Sequence, residues 1–343
     1  MWVACLGGRS FIYASLSGGP LEMTEGRRSG PVVVTGGAGA IGSILVEQLL
    51  ARGREVRVID NFSGGRREHL PIRENPPLSV TVADLRSPEK YADRFEGAAE
   101  VWHLAANTDI QRGSNQPRLD LEEGTLASFA VLEEARRHDV PTAVFSSSSV
   151  VYGWPTVFPT PETYGPLLPQ SLYAAAKLAV EGLFSAYAHT YGLRAHIFRF
   201  ANIIGPHMTH GILFDFFEKL RADPRRLEVL GDGRQAKSYL RTEECVEGML
   251  LAGDKAGDPV NLFNLGTKDR ISVREIAEKV VAAHGGEARI DYTGGERGWT
   301  GDVPQQLLAI DRIEQLGWRP RLTSEAAVDQ TISELVAARG VRP

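Results

Sequence analysis

A tyrosine and a lysine four residues apart, Tyr173 and Lys177, offer the first chemistry in this chain. Residues at i and i+4 share a helix face, so the phenol and the ammonium can converge on one site. A tyrosine in water has a pKa of about 10 and is a poor base at neutral pH. A neighbouring cation favours the phenolate, and bringing the pKa to about 7 needs roughly 4 kcal/mol of differential interaction. The pair therefore predicts a general base, Tyr173, tuned downward by Lys177. A run of hydroxyls, Ser146, Ser147, Ser148 and Ser149, comes off the end of a predicted strand, where one of them can hold the oxygen that Tyr173 deprotonates. Chemistry alone leaves open which serine does so.

A second constellation lies near the start. Gly36-Gly37-Ala38-Gly39-Ala40-Ile41-Gly42 falls between a predicted strand and a predicted helix. Glycines at 36, 39 and 42 permit a tight turn, close backbone approach to a pyrophosphate and close helix–strand packing. Asp60 ends the next strand, placed to accept hydrogen bonds from adenosine ribose hydroxyls. Its carboxylate repels a 2′-phosphate and so favours NAD over NADP. Arg66 and Arg67 follow in a glycine-rich loop and read as a solvated basic segment. Asp84-Leu85 can meet the adenine, or Asp84 can serve a plain turn. His103, inside an apolar strand, reads as structural, whereas His207 and His210 sit in a loop that can reach substrate. None of the three forms a metal-ligand pattern with nearby Cys, Asp or Glu, so no metal is expected.

Short apolar strands at 31–35, 55–60, 80–82, 101–104, 143–146 and 195–200 alternate with helical patterns at 41–52, 121–138 and 172–191. That alternation predicts an α/β fold with a parallel sheet covered on both faces. After 200 the pattern loosens, with helices expected at 243–251, 273–284 and 324–338 and a strand at 261–265. The reading divides the chain into a disordered N-terminal extension (1–30), a dinucleotide-binding domain (31–200) and a smaller lobe (201–343), parts of which return to the first domain. Glycines interrupt every short apolar stretch of the extension, and Met23 is the expected translation start.

The chain has 343 residues, 43% apolar and 24% charged, with a net charge of −5. That charge gives no footprint for nucleic acid, and no apolar run approaches the roughly 18 residues of a membrane span. Two cysteines, Cys5 and Cys245, fit a reducing, cytoplasmic setting.

Taken in order, TGGAGAIGS, VIDNFSGG, ADL, HLAAN, FSSSSVVYG, YAAAK, RFANIIGP, GDGRQ and FNLG resemble the extended short-chain dehydrogenase/reductase family, in its nucleotide-sugar epimerase/dehydratase group. The resemblance runs from about Pro31 to the last helix and is nearest to UDP-galactose (UDP-glucose) 4-epimerases. It implies a Rossmann-like, doubly wound parallel sheet with a smaller C-terminal substrate-binding lobe, NAD as cofactor, a nucleotide-sugar substrate and a homodimer through the helices at 121–138 and 172–191. It implies that Ser148, four residues before Tyr152-Gly153, is the catalytic hydroxyl. Tyr173 becomes the base and Lys177 its partner on the nicotinamide ribose, while Asn61 joins Asp60 at the cofactor. Asn202 is expected on the nucleotide diphosphate, with Lys237 and Arg297 as further substrate residues. Lys237-Ser238 stands where the family usually has Arg-Asp, and Arg297 lies farther from Gly301-Asp302 than is common. A lysine meets phosphate only as a point charge, without the arginine fork. Dehydratases carry Asp-Glu directly after the catalytic hydroxyl, and the decarboxylases also place a carboxylate at the second position; here those places hold Ser149 and Val150.

Overall fold

The computed structural model describes residues 30–71, 77–299 and 301–339. The expected extension, apart from Gly30, and the Met23 start lie outside them. Seven strands form one parallel sheet: β1 (Val32–Thr35), β2 (Val56–Asp60), β3 (Leu78–Val82), β4 (Glu100–His103), β5 (Thr142–Ser148), β6 (Arg194–Phe200) and β7 (Val260–Leu265). Their order is β7-β6-β5-β4-β1-β2-β3. Val32, Val33 and Val34 of β1 are all fully buried, which is why this strand reads as an unbroken apolar run. Val32 and Val34 join one core with Leu45, Leu49 and Met249, whereas Val33 joins a second with Leu132 and Phe184. The sheet is therefore covered on both faces, in the doubly wound, Rossmann-like manner. The strand order reverses between β1 and β4, which opens a crevice at their carboxyl ends.

Beyond β6 the chain adds small sheets that pair Asn202–Ile204 with Tyr239–Arg241, and Ala236–Lys237 with both Ile271–Ser272 and Gln305–Gln306. A third core, around Phe217, Leu227, Ile276 and Val328, gathers helices Ile212–Ala222, Val273–Ala283 and Ser324–Arg339. Helix Leu172–Tyr191 begins with Ser171 capping the Ala174 N–H and ends at Gly192, whose φ of +74° suits a left-handed C-cap. The helix expected at 121–138 is instead two pieces, a π-helical stretch Asp120–Leu126 followed by an α-helix Ala127–Arg137. Periodicity cannot show such a break. The wide turn brings Gly124 so near helix Leu172–Tyr191 that a Cβ there would sit 3.0 Å from the Ala176 methyl.

His103 joins these layers. Its Nδ1 lies 2.7 Å from Thr35 Oγ1 and its Nε2 2.7 Å from Ser128 Oγ. Ser128 already donates to the Gly124 carbonyl, so His103 donates from Nε2 and accepts at Nδ1 from Thr35. The ring is neutral and satisfied, and burial depresses its pKa from 6.5 to about 3. Between those values the unfolded chain binds a proton that the folded chain refuses, so this contribution to stability is lost as pH falls from 6.5 toward 3. His103→Gln should therefore flatten the acid side of the stability profile, measured by urea unfolding at successive pH values. A slope equal to wild type would contradict the assignment.

Candidate active site

Four elements converge on the crevice. The glycine turn leads into helix Ala40–Ala51, with Gly39 as its N-cap. A Cβ at Gly42 would come 2.1 Å from the Gly36 carbonyl oxygen, and one at Gly36 would come 2.7 Å from the Ala105 nitrogen. Only glycine keeps this cradle open. The N–H groups of Ala40, Ile41 and Gly42 lie in the first turn, where intrahelical acceptors are lacking and an anion is favoured.

Asp60 closes β2 against that turn. Its Oδ2 accepts the Ala38 N–H at 2.9 Å and its Oδ1 the Phe62 N–H at 2.8 Å, leaving each oxygen a lone pair for a ribose hydroxyl. The carboxylate thus shapes the glycine turn itself, a role that motif spacing does not reveal. Asn61 Oδ1 accepts the Ser63 N–H at 3.0 Å. Asp84 is committed to Arg86 at 2.6 Å, which holds its carboxyl below the usual range, and buried Leu85 lends its carbonyl to Tyr91. Arg66 and Arg67 are exposed.

The end of β5 separates the four serines by partner. Ser146 lends its carbonyl to Lys177 Nζ at 2.6 Å. Ser147 donates to Glu181 Oε1 at 2.5 Å, and Glu181 is in turn gripped by Arg199 from Nε at 2.9 Å and Nη2 at 2.7 Å. Ser148, the last residue of β5, caps the 3₁₀ turn Ser149–Tyr152 by accepting the Val150 N–H at 3.4 Å and lies near enough to the Tyr173 phenol to favour its ionisation. Ser148, Tyr173 and Lys177 are thus brought together. Glu181 and Arg199 were missed in the sequence because nothing in their spacing links helix 172–191 to β6.

The proton affinities depart from the sequence expectation. The Tyr173 phenol is pushed up to about 12, chiefly by burial and then by Asp120, with the Ser148 hydrogen bond acting in the opposite sense. Lys177 does not reverse this. Its ammonium points at the Ser146 carbonyl, 5.7 Å from the Tyr173 ring centre, and burial lowers its own pKa to about 7. Lysine and tyrosine share a face as expected, but desolvation outweighs their mutual attraction.

The remaining expected residues lie further along. Asn202 Nδ2 donates to the Ser238 carbonyl at 3.0 Å. Lys237 pairs with buried Asp302 at 2.6 Å and sits over the Trp299 ring. Arg297 stacks 3.8 Å from the centre of the Trp154 ring, whose Nε1 donates to the Asp302 carbonyl. Lys237 and Arg297 therefore belong to one aromatic–cationic cluster, tied through Trp154 to the segment leaving β5. His207 hydrogen-bonds Ser43 at 2.9 Å and stacks on His69, and His210 lies by the Thr209 hydroxyl. Neither lines the cavity beside Tyr173. Among the described residues no cluster has the composition of a metal site, and no helix is long and apolar enough to cross a membrane.

A dinucleotide cradle at a topological switch point, facing a serine–tyrosine–lysine set, defines a nicotinamide-dependent enzyme class. The chain belongs to the NAD dependent epimerase/dehydratase family, whose model matches residues 32–266. A UDP-glucose 4-epimerase of Mycolicibacterium smegmatis is 32% identical over 308 residues, spanning 88% of this chain and 96% of that protein. A crystal structure of a UDP-galactose 4-epimerase matches with a TM-score of 0.81 at 39% identity, covering 90% of this chain and 99% of that one. DesIV, a dTDP-glucose 4,6-dehydratase from Streptomyces venezuelae solved with NAD bound, reaches 0.82 at 27% identity over 90% of this chain and 98% of that one. Nucleotide-sugar epimerases, dehydratases and decarboxylases all stand close to it, and its cofactor is NAD.

The Lys177 shift has a signed consequence. Between pH 7 and 10.5 the folded protein has released a proton that the unfolded chain still holds, so stability rises with pH across that window. Lys177→Met should remove that part of the rise in cofactor-free protein, as read by thermal melts from pH 7 upward. An identical pH dependence in the variant would contradict a depressed Lys177.

Proposed function

We propose that the protein is an NAD-dependent nucleotide-sugar 4-epimerase acting on a UDP-hexose of the UDP-glucose/UDP-galactose type. The observation that carries this reading is the composition at the end of β5: Ser148 faces Tyr173, and the next two positions, Ser149 and Val150, have no carboxylate. When bound, NAD supplies a hydride acceptor and donor. Ser148 holds the sugar O4, and Tyr173 removes and later returns its proton. Lys177 orients the nicotinamide ribose and stabilises the phenolate. With the C4 hydrogen removed as hydride, a 4-keto sugar forms, and its return on the other face inverts C4 with no net redox change. Elimination across C5 and C6 needs a proton acceptor at C5 and a donor to the C6 hydroxyl. Valine can be neither, and buried Asp120 is closed in behind Asn107 and Gly113. A 4,6-dehydratase or another nucleotide-sugar oxidoreductase is the alternative reading; a non-catalytic NAD sensor keeps no use for Ser148, Tyr173 and Lys177 together.

Within this reading residues 31–200 hold NAD, and residues 201–343 mainly hold the sugar nucleotide through Asn202, Lys237 and Arg297, while β7 in the main sheet and helix Thr242–Lys255 against its core return to the first domain. Glycines 36, 39 and 42 with Ala40, Ile41, Asp60, Asn61, Asp84 and Leu85 line the cofactor position. A homodimer is supported by the exposed apolar side chains Leu121, Leu126, Phe129 and Leu172 on the helices expected to pair.

Incubation with UDP-, GDP-, CDP- and dTDP-sugars, with products identified by NMR, should give the C4 epimer of UDP-glucose or a close relative. In deuterated water C5 should stay protonated, and deuterium at C5 with a 4-keto-6-deoxy product would replace epimerisation by dehydration. Tyr173→Phe should lower turnover by about 10² to 10⁴ with NAD still bound. Ser148→Ala should lower turnover more than Ser149→Ala, and the reverse order would move the catalytic hydroxyl by one residue.

A further inference from the structure

Asp120 is a charged group that the proposed chemistry leaves unused. It opens the π-helical stretch Asp120–Leu126 and is 2% exposed. Its Oδ1 accepts from Asn107 Nδ2 at 2.9 Å, while Oδ2 has no hydrogen-bond partner among the described residues. The side chain borders the small cavity that Tyr173 and Lys177 also line. Room for it exists because residue 113 is glycine, where a Cβ would come 2.1 Å from Oδ2. A buried carboxylate oxygen without a donor costs stability, and its field reaches whatever else lines the cavity.

We propose that Asp120 is a positioning residue of the site, the acidic member of the shared cavity whose carboxylate helps to keep the proton on Tyr173. The proposal deepens the role given to Tyr173 under the proposed function. The groups around the two side chains are few. Asn107 and Asp109 come from the segment after β4, Ser148 from the end of β5, and Tyr173 and Lys177 from helix Leu172–Tyr191. Asp120 raises the proton affinity of the phenol and Ser148 acts in the opposite sense, while the Lys177 ammonium is directed at the Ser146 carbonyl. Burial raises the Asp120 carboxyl, Asp109 adds to that, and the Asn107 hydrogen bond acts against it. The amide thus favours the charged carboxylate against burial and Asp109. Without that charge one of the two influences that hold the proton on the phenol is gone, and burial remains.

The test is a direct titration that needs no turnover, so failure of the epimerase reading leaves it intact. Full-length protein labelled with ¹³Cζ-tyrosine is followed by NMR as pH is raised, Tyr173 being identified by its absence in Tyr173→Phe. In Asp120→Asn the Tyr173 signal should titrate about one unit or more below its wild-type midpoint. Asn107→Leu, which strips the carboxylate of its donor, should move the midpoint in the same direction by less. Should the Asn variant not fold, Asp120→Ser gives the same readout. A Tyr173 midpoint unchanged in both a folded Asp120 variant and Asn107→Leu would overturn the proposal.

Discussion

The structure depends on a buried polar seam between the end of β5 and helix Leu172–Tyr191. Lys177 donates to the Ser146 carbonyl, and one turn later Glu181 takes the Ser147 hydroxyl while locked to Arg199 of β6. Two successive residues of the strand are thus fastened to two successive turns of the helix. Ser148 follows on the strand and Tyr173 lies one turn before Lys177 on the helix, so the seam fixes the two elements that carry them. The seam holds ionisable groups in a dry interior, where each must be paired to be tolerated. Arg199 and Glu181 meet that condition through a bidentate grip, and Lys177 meets it with a carbonyl and a depressed pKa.

That arrangement separates two things a sequence pattern suggests together. Spacing i, i+4 says that Tyr173 and Lys177 share a face, and they do. It does not say that the ammonium is spent on the phenol. In the folded protein the ammonium is spent on the strand, and the phenol is left to desolvation, Asp120 and one serine. Burial and Asp120 both favour the protonated phenol. The glycine cradle shows the same economy of position: Asp60 holds the Ala38 N–H that forms the turn with one oxygen and the Phe62 N–H with the other.

Much of the frame was legible because its signals are local. β1 is buried on both faces and reads as Val-Val-Val; Gly36, Gly39 and Gly42 sit between strand and helix; the helix Leu172–Tyr191 carries its own serine cap and glycine stop. What was not legible is long-range or irregular. Glu181 and Arg199 lie on different elements, so their pairing exists only after the sheet forms. The π-helical stretch at Asp120–Leu126 conserves apolar spacing well enough to pass for one helix. Lys237 reads as a phosphate ligand by motif, and only the fold brings Asp302 and Trp299 to it. The downward shift expected for Tyr173 failed because burial is invisible in a run of three alanines.

The most direct measurement follows the hydrogen at C4. UDP-glucose carrying deuterium at C4 is turned over in ordinary water with unlabelled NAD, and the product is examined by NMR and mass spectrometry. If inversion proceeds by removal and return of one hydride within a single cofactor encounter, the C4 epimer retains deuterium at C4. An epimer with protium at C4, or a product whose label has moved to C6, would contradict the account.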